Sequence, residues 1–157
     1  MTGTRVIGLI ADTHGQLRPA VALHFAGVDL IVHAGDVGSG AVLEGLRALA
    51  PVYAVSGNVD DRADPLLPRE RTVSAGALTL HVSHGDELGR PRPDLLLARY
   101  DADILVFGHT HRPVVHRSGG RLVVNPGAAG PRRFDIQPSI ALVRVTGTDA
   151  DVQIIPL

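Results

Sequence analysis

The chain has 157 residues, 45% hydrophobic and 20% charged, with no cysteine and a formal net charge of −1. That length suits one domain over residues 1–157 and is short for two, and no apolar stretch reaches the length of a membrane span. Disulfides and thiolate chemistry are excluded, and a near-zero charge gives no global field to gather nucleic acid.

The first apolar run, residues 5–11, reads as a buried strand that stops at Asp12 and His14. It is short, interrupted by Gly8 and led by a single basic residue, Arg5, which does not fit a signal peptide, so the expected location is cytoplasmic. Residues 18–26 carry Pro19 at a helix-start position and stop at Gly27, a suitable C-terminal cap. Residues 30–34 form a second strand that gives way to Gly35 and Asp36. Val42, Leu43, Leu46 and Leu49 lie on one stripe of a second helix, closed before Pro51. Residues 52–55 make a third strand leading to Gly57 and Asn58, and the polar, proline-containing stretch 60–71 reads as a surface loop.

Residues 78–82 form a strand ahead of His84, and Pro93 opens a third helix that runs to Tyr100. Residues 104–107 then run into Gly108, His109, Thr110 and His111. Val114 and Val115, a Gly119-Gly120 turn, and residues 122–124 read as a hairpin. Two further strands, 140–145 and 152–155, flank Gly147. A βαβαβ start followed mostly by strands favours two packed sheets with helices outside over a doubly wound sheet.

Five of these runs end in the same way, with a metal-ligating type of side chain one to three positions beyond the last apolar residue. In open α/β sheets ligands bind beyond the carboxyl ends of the strands, so the five clusters are expected to form one site. Asp12 and His14 are one residue apart, as are His109 and His111, and each pair can face one ion. Asp36, Asn58 and His84 bring the set to seven N and O donors. Seven exceed the needs of one ion with open positions and suit two divalent ions that share a carboxylate; the donor types admit Mn, Fe, Co, Ni or Zn.

The motifs DTH (residues 12–14), GD (35–36), GN (57–58), HG (84–85) and GHTH (108–111) resemble, in order and across nearly the whole chain, the calcineurin-like metallophosphoesterases. The closest likeness is to their small single-domain prokaryotic phosphodiesterase branch, which the Asn125-Pro126-Gly127 turn also resembles. The resemblance implies a four-layer α/β/β/α sandwich of two mixed sheets flanked by helices. It also implies two metal ions, Mn²⁺ foremost, one held by Asp12, His14, Asp36 and His111 and the other by Asp36, Asn58, His84 and His109. The implied activity is hydrolysis of a small phosphodiester by a hydroxide held between ions roughly 3.5–4 Å apart. Catalytic roles then fall to Asp36, Asn58, His14 and Asp60.

Two departures sharpen that expectation. Many superfamily members carry a histidine directly after the GN asparagine as general acid; here Val59 stands there, and the phosphodiesterase branch that the chain resembles also lacks that histidine. Asp86 occupies a position that is often histidine in relatives, and reads as a solvated residue rather than a proton relay. Asp60 is placed to orient an imidazole or a water, or simply to cap its loop. Arg132 and Arg133 read as surface residues rather than a phosphate clamp, and His24, His33, His81 and His116 as structural or solvated, with a supporting role open for His33. The expected partner is a small-molecule phosphodiester, without membrane or extended nucleic-acid binding, since aromatic content is only 3% and no basic stripe exists. The alternative is a metal-bound protein-interaction scaffold, because a retromer subunit resembles this branch.

Overall fold

In the computed structural model, which describes residues 3–157, the elements follow in the order β1 (Arg5–Ile10), α1 (Pro19–His24), β2 (Leu30–His33), α2 (Gly40–Arg47), β3 (Val52–Ala54) and β4 (Glu70–Ala75). They continue with β5 (Leu78–Ser83), α3 (Pro93–Arg99), β6 (Ile104–Val106), β7 (Val114–Ser118), β8 (Arg121–Asn125), β9 (Ser139–Thr146) and β10 (Asp149–Pro156). Two five-stranded sheets result, ordered β10-β9-β1-β2-β3 and β4-β5-β6-β8-β7. Both are mixed: β1, β2 and β3 run parallel, as do β5, β6 and β8, while β1–β9, β9–β10, β4–β5 and β7–β8 are antiparallel.

The period-2 alternation of the strands builds the layers. Ile7 and Leu9 of β1, Leu30 and Val32 of β2, Leu80 and Val82 of β5, and Ile104 and Val106 of β6 meet in the core between the sheets. The opposite faces take the helices. Ile10 and Ile31 pack with Val21 of α1 and Val42, Leu43 and Leu46 of α2, and Leu105 and Val123 pack with Leu96 of α3. This is the four-layer α/β/β/α arrangement. Gly8 matters to it, because a Cβ there would stand 2.9 Å from the Phe25 ring that closes α1 onto β1. No helix among the described residues is long and apolar enough to cross a membrane.

One segment departs from expectation. The stretch 60–71, expected as loop, becomes strand at Glu70, and β4 pairs with β5 along the edge of the second sheet. Glu70, Thr72 and Ser74 face solvent while Arg71, Val73 and Ala75 face inward, so the strand contains no apolar run to reveal it. The first helix is also shorter than residues 18–26, spanning Pro19–His24.

Candidate metal centre

The parallel strands β1, β2 and β3 of one sheet and β5 and β6 of the other point their carboxyl ends at a common rim. There the backbone turns sharply. Among the described residues six non-glycine positions have positive φ, and five of them are Asp12 (53°), His14 (47°), Asp36 (54°), His109 (72°) and His111 (64°). Left-handed backbone at such residues costs of order 1–3 kcal/mol each. Its concentration on the side chains singled out by the motifs means that the loops hold those residues against their own preference.

Hydrogen bonds between the loops enforce it. Asp12, His14 and Gly15 amides donate to the carbonyls of Gly35, Asp36 and Val37 at 3.0, 3.0 and 2.8 Å. Asp60 accepts the amides of Val37, Gly38 and Gly57 at 3.1, 3.0 and 2.8 Å, and so ties the loop after β2 to the loop after β3. Its carboxylate therefore works on backbone, in the capping manner, and touches no imidazole. Fully buried His33 accepts the Gly35 amide at Nδ1 (3.1 Å), which leaves the proton on Nε2 to donate to Thr13 Oγ1 (3.0 Å), and Thr13 donates onward to the Val37 carbonyl (2.8 Å). Asn125 donates to the Gly108 carbonyl at 3.1 Å and Thr110 Oγ1 at 3.0 Å, clamping the loop of His109 and His111.

Sequence reasoning did not give Thr13 and Asn125 these tasks. Their signal was position: Thr13 between two ligand-type residues, and Asn125 as the polar end of an apolar strand.

Asp36, Asp12 and His84 each have one side-chain atom anchored by backbone and another left facing the centre. Asp36 Oδ1 accepts the Val59 amide at 3.0 Å, leaving Oδ2 at 3.3 Å from His84 Nε2 and 3.7 Å from His14 Nε2. Asp12 Oδ2 accepts the His109 amide at 3.1 Å, leaving buried Oδ1 without a hydrogen-bond partner, 3.5 Å from His111 Nε2. His84 donates from Nδ1 to the Ala34 carbonyl at 2.8 Å, which presents Nε2 to Asn58 Oδ1 at 3.0 Å and to His109 Nδ1 at 3.3 Å. His14 Nε2 is buried and unpaired.

Two compact sets emerge whose ligand atoms lie within 4.8 Å of one another: Asp12, His14 and His111, and Asp12, Asp36 and His84. Asp12 is common to both, while Asp36, the expected shared carboxylate, links His14 and His84 through Oδ2. Unpaired acceptors that converge on one buried spot are what a cation satisfies, and the all-N and O donor set fits divalent ions of the Mn to Zn series.

The charges tell the same story for the metal-free protein. Burial pushes Asp12 up to about 7, partly offset by the charge of His84. Burial works against a charged His84 too, yet the hydrogen bond to Asp36 and both carboxylates outweigh it and lift this histidine to about 9. Asp36 is opposed by burial in the same way, but His84 and the Val59 amide hold it down to about 2. Burial, with the charges of Arg133 and His14, brings His111 down to about 4, and burial also lowers His14 and His109. Three of the four rim imidazoles thus favour the neutral form that ligation requires.

The remaining candidates separate clearly. Arg132 and Arg133 are exposed, and the charge of Arg133 reaches Asp12, His14 and His111. Asp86 forms an ion pair with Arg62, half-buried rather than freely solvated. His81 stacks on Tyr100 with ring centroids 3.9 Å apart, and exposed His24 and His116 end α1 and lie within β7.

Comparison with known proteins matches this arrangement. The model of the calcineurin-like phosphoesterase superfamily domain matches residues 6–148. A probable metallophosphoesterase of Methanothermobacter thermautotrophicus is 36% identical over 161 aligned residues, covering 96% of this chain and 91% of that protein. Among solved structures, vacuolar protein sorting 29 of Cryptosporidium parvum superposes with a TM-score of 0.81 at 25% identity, covering 98% of both chains. An archaeal phosphodiesterase shares the fold with a TM-score of 0.77 at 22% identity, over 96% of this chain and 99% of that one.

Proposed function

The chain belongs to the calcineurin-like phosphoesterase superfamily and is similar to probable metallophosphoesterases, and on that premise we propose that it hydrolyses a small phosphodiester at a centre of two divalent metal ions. The observation that carries this reading is the convergence of Asp12, His14, Asp36, His84 and His111 in two compact sets, with Asn58 and His109 against His84 Nε2 and with Asp12 Oδ1 and His14 Nε2 buried and unpaired. Asp12, His14, Asp36 and His111 would hold one ion, and Asp36, Asn58, His84 and His109 the other. Bound there, such ions supply an activated water nucleophile and neutralise charge on the phosphoryl oxygens.

The protein's own part is orientation. The Ala34 carbonyl fixes the His84 tautomer, and the Val59 and His109 amides fix which oxygen of Asp36 and Asp12 turns inward. Asp60 acts one step back, on the loops that carry Asp36 and Asn58. Val59 is 54% exposed at the rim and offers no proton to a leaving oxygen. A site without that acid favours esters whose leaving group departs as a stable anion, which supports an activated diester as substrate.

The test is hydrolysis of bis(4-nitrophenyl) phosphate against 4-nitrophenyl phosphate by chelator-treated protein resupplied with Mn²⁺. The diester is expected to turn over faster. A preference for the monoester sinks the diesterase reading, and no turnover of either sinks catalysis altogether. That last outcome would favour the second reading, a metal-bound interaction scaffold, which the likeness to vacuolar protein sorting 29 supports.

A further inference from the structure

Beside the metal centre lies a cavity of about 670 Å³ that no motif predicted. Arg90, Arg92 and Arg112 line it over an apolar floor of Phe107 and Val114, and no carboxylate contributes to its wall. His109 lines it too, and His109 Nδ1 stands 3.3 Å from His84 Nε2, so the cavity opens onto the metal rim through a shared imidazole.

The arginines are not there to neutralise neighbours. Arg92 shares its guanidinium with exposed Asp94 at 3.2 and 3.3 Å, but Arg90 and Arg112 have no carboxylate partner among the described residues. Nearby acids are engaged elsewhere: Asp86 pairs with Arg62, and Glu87 accepts the Tyr100 hydroxyl at 2.7 Å and the Gly85 amide at 2.9 Å. The loop that carries Arg90 and Arg92 is also held in shape. Pro91 is buried against Gly85, where a Cβ would stand 2.8 Å from its Cγ, and Pro93 starts α3 directly after Arg92. Two uncompensated guanidinium forks on a stiff loop and a strand entry, above an apolar floor, suit a phosphate carried on a nucleoside-sized body.

We propose that this cavity seats a second phosphate of the substrate, so that the substrate class is a phosphodiester bearing a further phosphate on one flank. The inference rests on the phosphodiesterase reading for the identity of the scissile group. The metal centre takes the diester, Arg90 and Arg112 take the second phosphate, and half-buried Val114, backed by Phe107, contacts the carbon framework between.

The experiment is titration calorimetry of Mn²⁺-loaded protein with thymidine 3′,5′-bisphosphate and with thymidine 5′-monophosphate. The bisphosphate is expected to bind about 10-fold tighter or more, as charge-assisted hydrogen bonds imply. That ratio should fall toward one in the R90A/R112A double variant and persist in R47A, an exposed arginine at the end of α2 outside the cavity. Equal affinities for the two nucleotides overturn the proposal, and so does a ratio that R90A/R112A leaves unchanged. Binding does not require turnover, so failure of aryl diester hydrolysis with an intact affinity ratio would overturn the catalytic reading and leave the phosphate site standing.

Discussion

Replacing Gly57 by alanine adds one methyl group at the most crowded point of the centre. Its carbon would stand 2.8 Å from Asp36 Cγ, about 0.6 Å inside the 3.4 Å at which ordinary contact begins, and closer still to Asp36 Oδ1 and the Asp36 amide nitrogen. Asp36 cannot swing away freely, because Oδ1 holds the Val59 amide at 3.0 Å and its carbonyl accepts the His14 amide at 3.0 Å. Gly57 is equally pinned, its own amide donating to Asp60 at 2.8 Å.

The loop after β3 must therefore lift, at roughly 1–3 kcal/mol for forced overpacking, and Asp36 is displaced from His14 and His84. Loss of about 10- to 100-fold in metal affinity is expected from so disturbed a ligand. Urea denaturation of chelator-treated protein reads the first quantity and Mn²⁺ titration the second. Gly40→Ala is the control, since nothing lies within 4 Å of its added methyl, and it should change stability by less than about 1 kcal/mol. Wild-type stability and metal affinity in Gly57→Ala would refute the packing account of the rim.

Asp36→Asn keeps the shape but removes the charge that links His14 and His84, and is expected to lower bound metal and abolish diester turnover; unchanged occupancy would contradict the role given to Asp36. Asn125→Ala frees the Gly108 carbonyl and Thr110 hydroxyl and should cost about 1–3 kcal/mol in urea denaturation, with weaker metal binding through His109 and His111. In metal-free protein His84 is held up near 9, so its stabilisation is full below pH 6.5 and lost as pH rises through 9, about 3 kcal/mol for the shift. Asp12, held up near 7, loses stability as pH rises through 7, whereas His14, His33, His109 and His111, all lowered by burial, gain it as the unfolded chain's imidazoles give up their protons around 6.5. Above about pH 7.5 these contributions are spent and His84 decides the slope, so metal-free protein should grow less stable to urea from there to pH 9, and an increase would contradict the His84 account.

The strand ends were legible because the chemistry is local. A buried strand announces itself as an apolar run, and the residue that follows it must sit on the rim, so Asp12, Asp36, Asn58, His84 and His109 could be gathered without coordinates. β4 was not legible, since an edge strand with one wet face alternates Glu, Thr and Ser with Arg, Val and Ala. Nor were the contacts that aim the ligands. Asp60 pairs with amides from two loops and Asn125 with a loop 15 to 17 residues earlier, and long-range backbone partners leave no spacing to read. The arginine-lined cavity was hidden for the same reason, because Arg112 reaches Arg90 and Arg92 only once β6 and α3 have packed.

Metal stoichiometry tests the central claim most directly. Protein reconstituted with Mn²⁺, freed of excess ion and subjected to elemental analysis is expected to retain two ions per chain. Retention of a single ion, or of none, would contradict a centre built from all seven donors.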